Sequence, residues 1–234
     1  MIDIVVFILI SVFIFISYLL PLLFPVVIVF WLKNKNKHDL QKEEEIVRKI
    51  IRLDPDFNVI EFKEEAAKCF IKVKESIIRN DLKTLMTLET TELYNKHKSE
   101  LDMTKITGVI DAEHIEDVNK IIILGSKIEN NLEKITLRIN VKFKKLKIDR
   151  KQAALVYLDE TTTLTFLCLQ FVRNCNVKTK KGKEFALQSC PNCGATVNIT
   201  SQGSCTYCKS VLINGNHSWV LNKIDNYYLF HKET

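Results

Sequence analysis

Residues Val5 to Leu32 contain no charged side chain. No other feature of the chain restricts its folding so strongly, because a run of 28 uncharged, mostly apolar residues has few places to go except a bilayer. As a helix it would extend about 42 Å at ~1.5 Å per residue, more than the ~30 Å hydrocarbon core needs. It therefore predicts a single span that tilts or bends, with Pro21 and Pro25 as the natural bend points. Two spans would need roughly forty apolar residues. A cleaved signal peptide is the competing reading. It calls for a basic leading region, a shorter apolar core and small residues at a cleavage site. Here only Asp3 and the amino terminus precede the run, and no small-x-small pair follows it. No Lys or Arg lies before the span, whereas Lys33, Lys35, Lys37, Lys42, Arg48 and Lys49 follow it closely. Positive residues stay on the cytoplasmic side, so the N-terminus is expected outside and the long C-terminal part in the cytoplasm.

Near the other end the chain reads Cys190-Pro-Asn-Cys193, then eleven residues, then Cys205-Thr-Tyr-Cys208. Two residues between cysteines let both sulfurs of a tight turn face one ion, and two such turns close a tetrahedral thiolate shell around Zn²⁺. The spacing predicts a zinc ribbon. Four protein thiolates leave no open position for water, so the zinc is expected to be structural. Structural zinc binding contributes about 10–16 kcal/mol in finger peptides, enough to fold a short segment with almost no core of its own. Two disulfides would need an oxidising compartment, which the cytoplasmic orientation opposes. A redox C-x-x-C normally stands alone on a strand-to-helix turn. The sequons at Asn198 and Asn216 are then chance matches, since glycosylation acts on the other side of the membrane.

Between these ends the hydrophobic periodicity changes once. A short helix is expected over Leu40–Leu53, with Ile46, Val47, Ile50 and Ile51 on one face and Asp54-Pro55 ending it. A second begins after Asn58, with Glu61 completing a capping box. Phe62, Ala66, Cys69, Phe70, Val73 and Ile77 recur at helical spacing. A further helical stretch is expected from Leu82 to about Glu100, after the Asn80-Asp81 break. Strands follow: Lys120–Ile128, the strict alternation of Ile135, Leu137, Ile139, Val141 and Phe143, then Ala153–Leu158, Thr161–Arg173 and Trp219–Leu229. Thr161–Arg173 carries apolar residues on both faces and should be central. Helices first and strands after predict an α+β domain, its helices packed on one face of a curved antiparallel sheet, with the ribbon inserted before the last strand.

This order of parts resembles the bacterial branch of the Tim44-like family. The resemblance rests on Asp54-Pro-Asp-Phe57 before the Phe62 helix and on Phe171-Val-Arg173 at a strand end. It rests equally on Cys190-Pro-Asn-Cys-Gly-Ala195, on Cys205-Thr-Tyr-Cys208 and on Trp219-Val-Leu221 after the ribbon. It covers roughly Asp54 to Tyr228. The family motif usually has a Trp two residues before Phe-x-Arg, where this chain has Leu169, and a Gly after the last cysteine, where it has Lys209. The resemblance implies a fold similar to nuclear transport factor two, a cone of helices wrapped on a curved sheet. It also implies membrane-bound protein–protein association. In the mitochondrial relative, the related domain meets the inner membrane and helps anchor the import motor's chaperone. The expected organisation is an anchor at residues 1–32, a basic linker and short amphipathic helix at 33–53, and a Tim44-like α+β domain at 54–186. A zinc ribbon follows at 187–213, and the domain's final strand and C-terminus at 214–234. The expected location is a bacterial-type cell membrane, crossed once.

The function expected from these parts is that of a membrane-anchored, non-enzymatic binding or scaffold protein with an unidentified protein partner. Its metal ligands are Cys190, Cys193, Cys205 and Cys208. The alternatives are a small-molecule-binding or enzymatic cone domain of isomerase or dehydratase type, and a module that binds anionic lipid. For an enzyme, the acid–base candidates are His97, His114, Glu113 and Asp111, all in polar segments expected to be exposed. For lipid, the candidates are Lys142, Lys144, Lys145 and Lys147, then Lys178, Lys180, Lys181 and Lys183; the plainer reading is a solvated strand face and loop. Nucleic acid is an unlikely target, because phosphate contacts need Lys or Arg and none lies between Cys190 and Cys208. Cys69 and Cys168 are expected in the core, and Cys175 near a strand end as an exposed thiol. The net charge of +6 is too modest to single out a partner.

Overall fold

The computed structural model describes residues 20–149, 151, 154–179, 207–208 and 218–227. The first nineteen residues, Arg150, most of the cysteine-bearing segment and the C-terminal tail lie outside the described residues. The chain divides into two units, Met1–Glu44 and Glu45–Thr234.

Helix α1 spans Leu20–Leu53. It runs unbroken where a basic linker and a separate helix starting at Leu40 were expected. Two facts explain the continuity: no Gly or Pro occurs between Pro25 and Leu53, and Lys, Glu, Gln, Arg and Leu are good helix formers. Ile50 is fully buried and Ile46 and Val47 pack against the core, whereas Ile51, expected on the same face, is exposed. Among the described residues, no helix is long and apolar enough to cross a membrane. Most of the Val5–Leu32 run lies outside the described residues.

Helix α2 spans Val59–Ile78. The Asn58 side chain accepts hydrogen bonds from the Ile60 and Glu61 amides at 3.0 and 3.3 Å, filling two of the donors a helix start leaves open. The predicted apolar stripe is the buried face, from Phe62 through Ala66, Cys69 and Phe70 to Val73. The single helix expected over Leu82–Glu100 is two: α3, Leu82–Leu88, and α4, Thr91–Thr107. The break has a local cause. Thr90 is the N-cap of α4, accepting from the Leu93 amide, and its own amide donates to the Leu221 carbonyl at 2.9 Å. Glu89 is extended and forms an isolated bridge with Leu221. Gly108 ends α4 at φ +72°, a conformation glycine adopts without the Cβ penalty.

The remaining elements are β1 (Val109–Glu129), β2 (Leu132–Asp149), β3 (Ala154–Leu158), β4 (Thr163–Asn174) and β5 (Val220–Asn226). All pairs are antiparallel, in the order β1-β2-β4-β5, with β3 also paired to β2. β4 lies between β2 and β5, as its two apolar faces required. β1 and β2 are joined by Asn130 and Asn131 at φ +52° and +61°, the left-handed pair that a two-residue hairpin turn of matching twist demands. β1 begins eleven residues before the expected Lys120. Its register shifts at Glu116, Lys120 and Leu124. Each extra residue resets the alternation, which hides the strand in the sequence, and bulges bend and twist the strand that carries them. The inward face of β2, from Ile135 to Phe143, is buried against α2, α3 and α4 in one core. The last strand is shorter than Trp219–Leu229 because Trp219 precedes it; residues 228 and 229 lie outside the described residues.

Candidate functional site

Asp54, Phe57, Phe171, Arg173 and Trp219, which carried part of the family resemblance, converge with Phe62. Asp54, just past α1, is 119 residues from Arg173 in sequence, yet the Arg173 guanidinium donates to its carboxylate at 2.6 Å. The same guanidinium donates to Glu133 of β2 through Nε at 2.9 Å and Nη2 at 2.8 Å, and to the Thr179 hydroxyl at 3.1 Å. It stacks over the Trp219 ring, 4.3 Å from its centroid. Phe62 then meets Trp219, Phe57 and Phe171 at ring separations of 5.1, 5.2 and 6.0 Å. Asp54, Arg173 and Glu133 are all buried. Burial pushes the Asp54 carboxyl upward, but hydrogen bonds from Thr179 and Arg173 outweigh it and hold the group below the usual carboxylate range. A planar fork with five donors can serve two carboxylates and a hydroxyl together, which an ammonium cannot do with the same geometry.

This cluster also fastens the base of the cysteine-bearing segment. Thr179 donates to Asp54 from its amide at 3.0 Å and its hydroxyl at 2.6 Å. Lys178 donates to the Leu53 carbonyl at 2.9 Å, satisfying an acceptor that the end of α1 leaves open. The strand leading into the segment (β4), the residues just after it and the Trp219 return are thus tied to the end of α1.

A second buried ionisable pair lies elsewhere. His97, expected to be exposed, is buried because its face of α4 turns inward. Its Nδ1 is 2.7 Å from Oε1 of Glu89, whose side chain is fully buried. Burial raises the Glu89 carboxyl above its usual range, opposed by the hydrogen bond and charge of His97. A cavity of about 70 Å³ adjoins the pair, lined by Ile77, His97, Glu100, Leu101, Thr104, Ile110 and Asp111. Of the other acid–base candidates, Asp111 reaches this cavity but is exposed and pairs with Lys147 at 3.3 Å. Glu113 pairs with Lys74 at 2.7 Å, and His114 is exposed on β1. Glu89 carries no sequence signal: only the α3–α4 break and the bridge to Leu221 carry it inward.

Of the proposed metal ligands, Cys208 sits half-buried in a turn with Tyr207. Cys190, Cys193 and Cys205 lie outside the described residues, as do Lys180, Lys181 and Lys183. The quartet falls between β4 and β5. Lys144 pairs with Glu116 and Glu160 at 3.1 and 3.3 Å, so two of the four candidate lipid-contact lysines on β2, Lys144 and Lys147, meet carboxylates. Cys69 and Cys168 are buried thiols, and burial with the nearby Asp225 charge pushes Cys168 up to about 11. Cys175 is half-buried rather than exposed. Among the described residues, no group of three His, Cys, Asp or Glu side chains is arranged to hold a metal.

The Tim44-like domain family model matches residues 43–169, just over half the chain. The match starts inside α1 and ends on β4, before Arg173. No curated protein matches the chain.

Proposed function

The chain belongs to the Tim44-like domain family, and from that premise we propose that it is a membrane-anchored, non-enzymatic scaffold that binds a protein partner and carries a structural zinc. The observation that carries the proposal is the fate of the signature residues. Asp54, Phe57, Phe62, Phe171, Arg173 and Trp219 are spent on one another in a buried cluster. A signature consumed in this way fixes where parts of the chain stand; it leaves recognition to surfaces. Here it fixes the base of the cysteine-bearing segment against Leu53 and Asp54 at the end of α1.

Four thiols in two C-x-x-C pairs are the soft donor set that Zn²⁺ prefers. Cys190, Cys193, Cys205 and Cys208 would hold it, and the ion would supply folding energy to its segment rather than chemistry. In the proposed topology the uncharged run crosses a bacterial-type cell membrane once, with the C-terminal domain in the cytoplasm. Lipid contact by the basic residues is secondary to protein binding, because the Lys144 and Lys147 charges already meet carboxylates. The test is affinity purification of the full chain from membranes in mild detergent, beside a chain truncated after Leu53. A protein retained by the full chain and lost on truncation supports the proposal; a full chain that purifies with nothing beyond what the truncated chain carries would overturn it.

A further inference from the structure

The edges of the sheet differ in what guards them against a further strand. β1 shifts register along its length and carries Asp111, Glu113, Glu116 and Asp117, with no Lys or Arg before Lys120. Bulges and like charges both oppose pairing with another copy of the same strand. β5 is met on its edge by the α3–α4 connection, where Glu89 bridges Leu221 and the Thr90 amide donates to the Leu221 carbonyl. β3 is different. It pairs with β2 on one side and with no described strand on the other, and β5 reaches along β4 only as far as Leu167. Its residues, Ala154–Leu158, are all uncharged, and Leu155, Val156 and Tyr157 are each more than half exposed. Its guards are its shortness and the bulge at Val156.

We propose that this edge pairs with the same edge of a second copy of the chain, antiparallel, about a two-fold axis at Leu155. The sequence is self-complementary in that arrangement. Lys151 stands four residues before Leu155 and Asp159 four residues after it. Antiparallel pairing about Leu155 therefore sets Lys151 of each copy opposite Asp159 of the other, at both ends of the paired stretch. In the sequence, Arg150 and Glu160 stand at the next matching distance. Leu155 falls opposite itself and Ala154 opposite Val156, so the centre is apolar. Parallel pairing in register would set like charges side by side, which opposes it. An unrelated extended peptide would gain the backbone hydrogen bonds but not the charge match, so a second copy is the better occupant. The contact is isologous, and it closes at two copies. Five residues a side is small against the roughly 20–30 of a stable interface, so the copies associate reversibly. This pairing does not rest on the scaffold proposal.

The experiment traps the pair in the full chain in mild detergent. Directly opposed Cα atoms of antiparallel strands lie about 4.5–5.5 Å apart, inside the ~4.4–6.8 Å that a disulfide spans. Leu155→Cys under diamide should therefore give a linked dimer on a non-reducing gel. The dimer should stand well above that of the unsubstituted chain, whose seven cysteines set the background, and above Ile106→Cys, an exposed position on α4. Added to Leu155→Cys, Lys151→Glu and Asp159→Lys should each lower the dimer about three- to tenfold, because two ion pairs become two repulsions. Mixing these two variants should restore it, since every charge then meets its opposite. Asp159→Lys also loses the bond from the Thr161 amide, and mixing would not repair a turn damaged that way. No dimer, a dimer no stronger than that of Ile106→Cys, or a mixture no better than either variant alone would overturn the proposal. Maleimide labelling of Leu155→Cys would then assign the edge: a shielded thiol in the purified chain points to another segment of the same chain, and an open thiol to a different protein. A trapped dimer without any other partner would sink the scaffold proposal and leave this one standing, and a partner without the dimer would do the reverse.

Discussion

Arg173 is the residue on which most of the buried polar architecture depends. It answers Asp54, Glu133 and Thr179 and stacks on Trp219. Replacing it with Met leaves two carboxylates buried without a counter-charge. The expected loss is about 3–5 kcal/mol, read by urea denaturation in detergent. Arg173→Lys should recover little of it, because an ammonium lacks the fork. Asp54 and Glu89 predict opposite pH responses. The folded value of Asp54 lies below its ordinary 3.8, so its contribution is complete above 3.8 and is lost as pH falls through the lower folded value. Glu89 lies above its ordinary 4.5, so the fold loses stability as pH rises from 4.5 through the raised value. Denaturation midpoints against pH should therefore flatten at the acid end in Asp54→Asn and above 4.5 in Glu89→Gln. Unchanged profiles in both would contradict these assignments. The sequence exposed Asp54, Arg173 and Trp219 as motif residues but could not pair them, since nothing local links positions 119 apart. Glu89 was illegible for a stronger reason: in a helix continued through it, the side chain would have had no cause to be buried.

Among the elements, α2 and β2 were legible because their periods are uninterrupted, one face of a helix and one face of a strand. Of β1 only the second half was legible, as Lys120–Ile128, because bulges shift its register and its first half is polar. Backbone pairing with β2 holds that half, and backbone pairing leaves no mark on side-chain alternation. The Asn130-Asn131 turn is where the register is set. Asn131→Val puts a β-branched residue at a left-handed position and should cost about 1–2 kcal/mol, while Asn131→Gly should be neutral or better. Thermal unfolding of the pair would check this, and equal midpoints would contradict the turn assignment. The cysteine-bearing segment makes a separate prediction. Metal analysis of the full chain should give about one zinc per chain, lost in the Cys190→Ser, Cys193→Ser double variant. Oxidised thiols with no bound zinc would instead favour disulfides.

For the whole molecule, the proposed function joins an anchor to a partner-binding domain. Alkaline carbonate should leave the full chain in the membrane pellet; release into the supernatant would remove the anchor from the account. The central claim, that the anchored domain holds a protein partner, is tested most directly by cross-linking mass spectrometry of the full chain in intact membranes. The account predicts recurrent cross-links from residues 54–234 to one other protein, on the cytoplasmic side, and fewer of them in the destabilised Arg173→Met variant. Cross-links confined to the chain itself and to its own copies, in membranes where it is abundant, would contradict it.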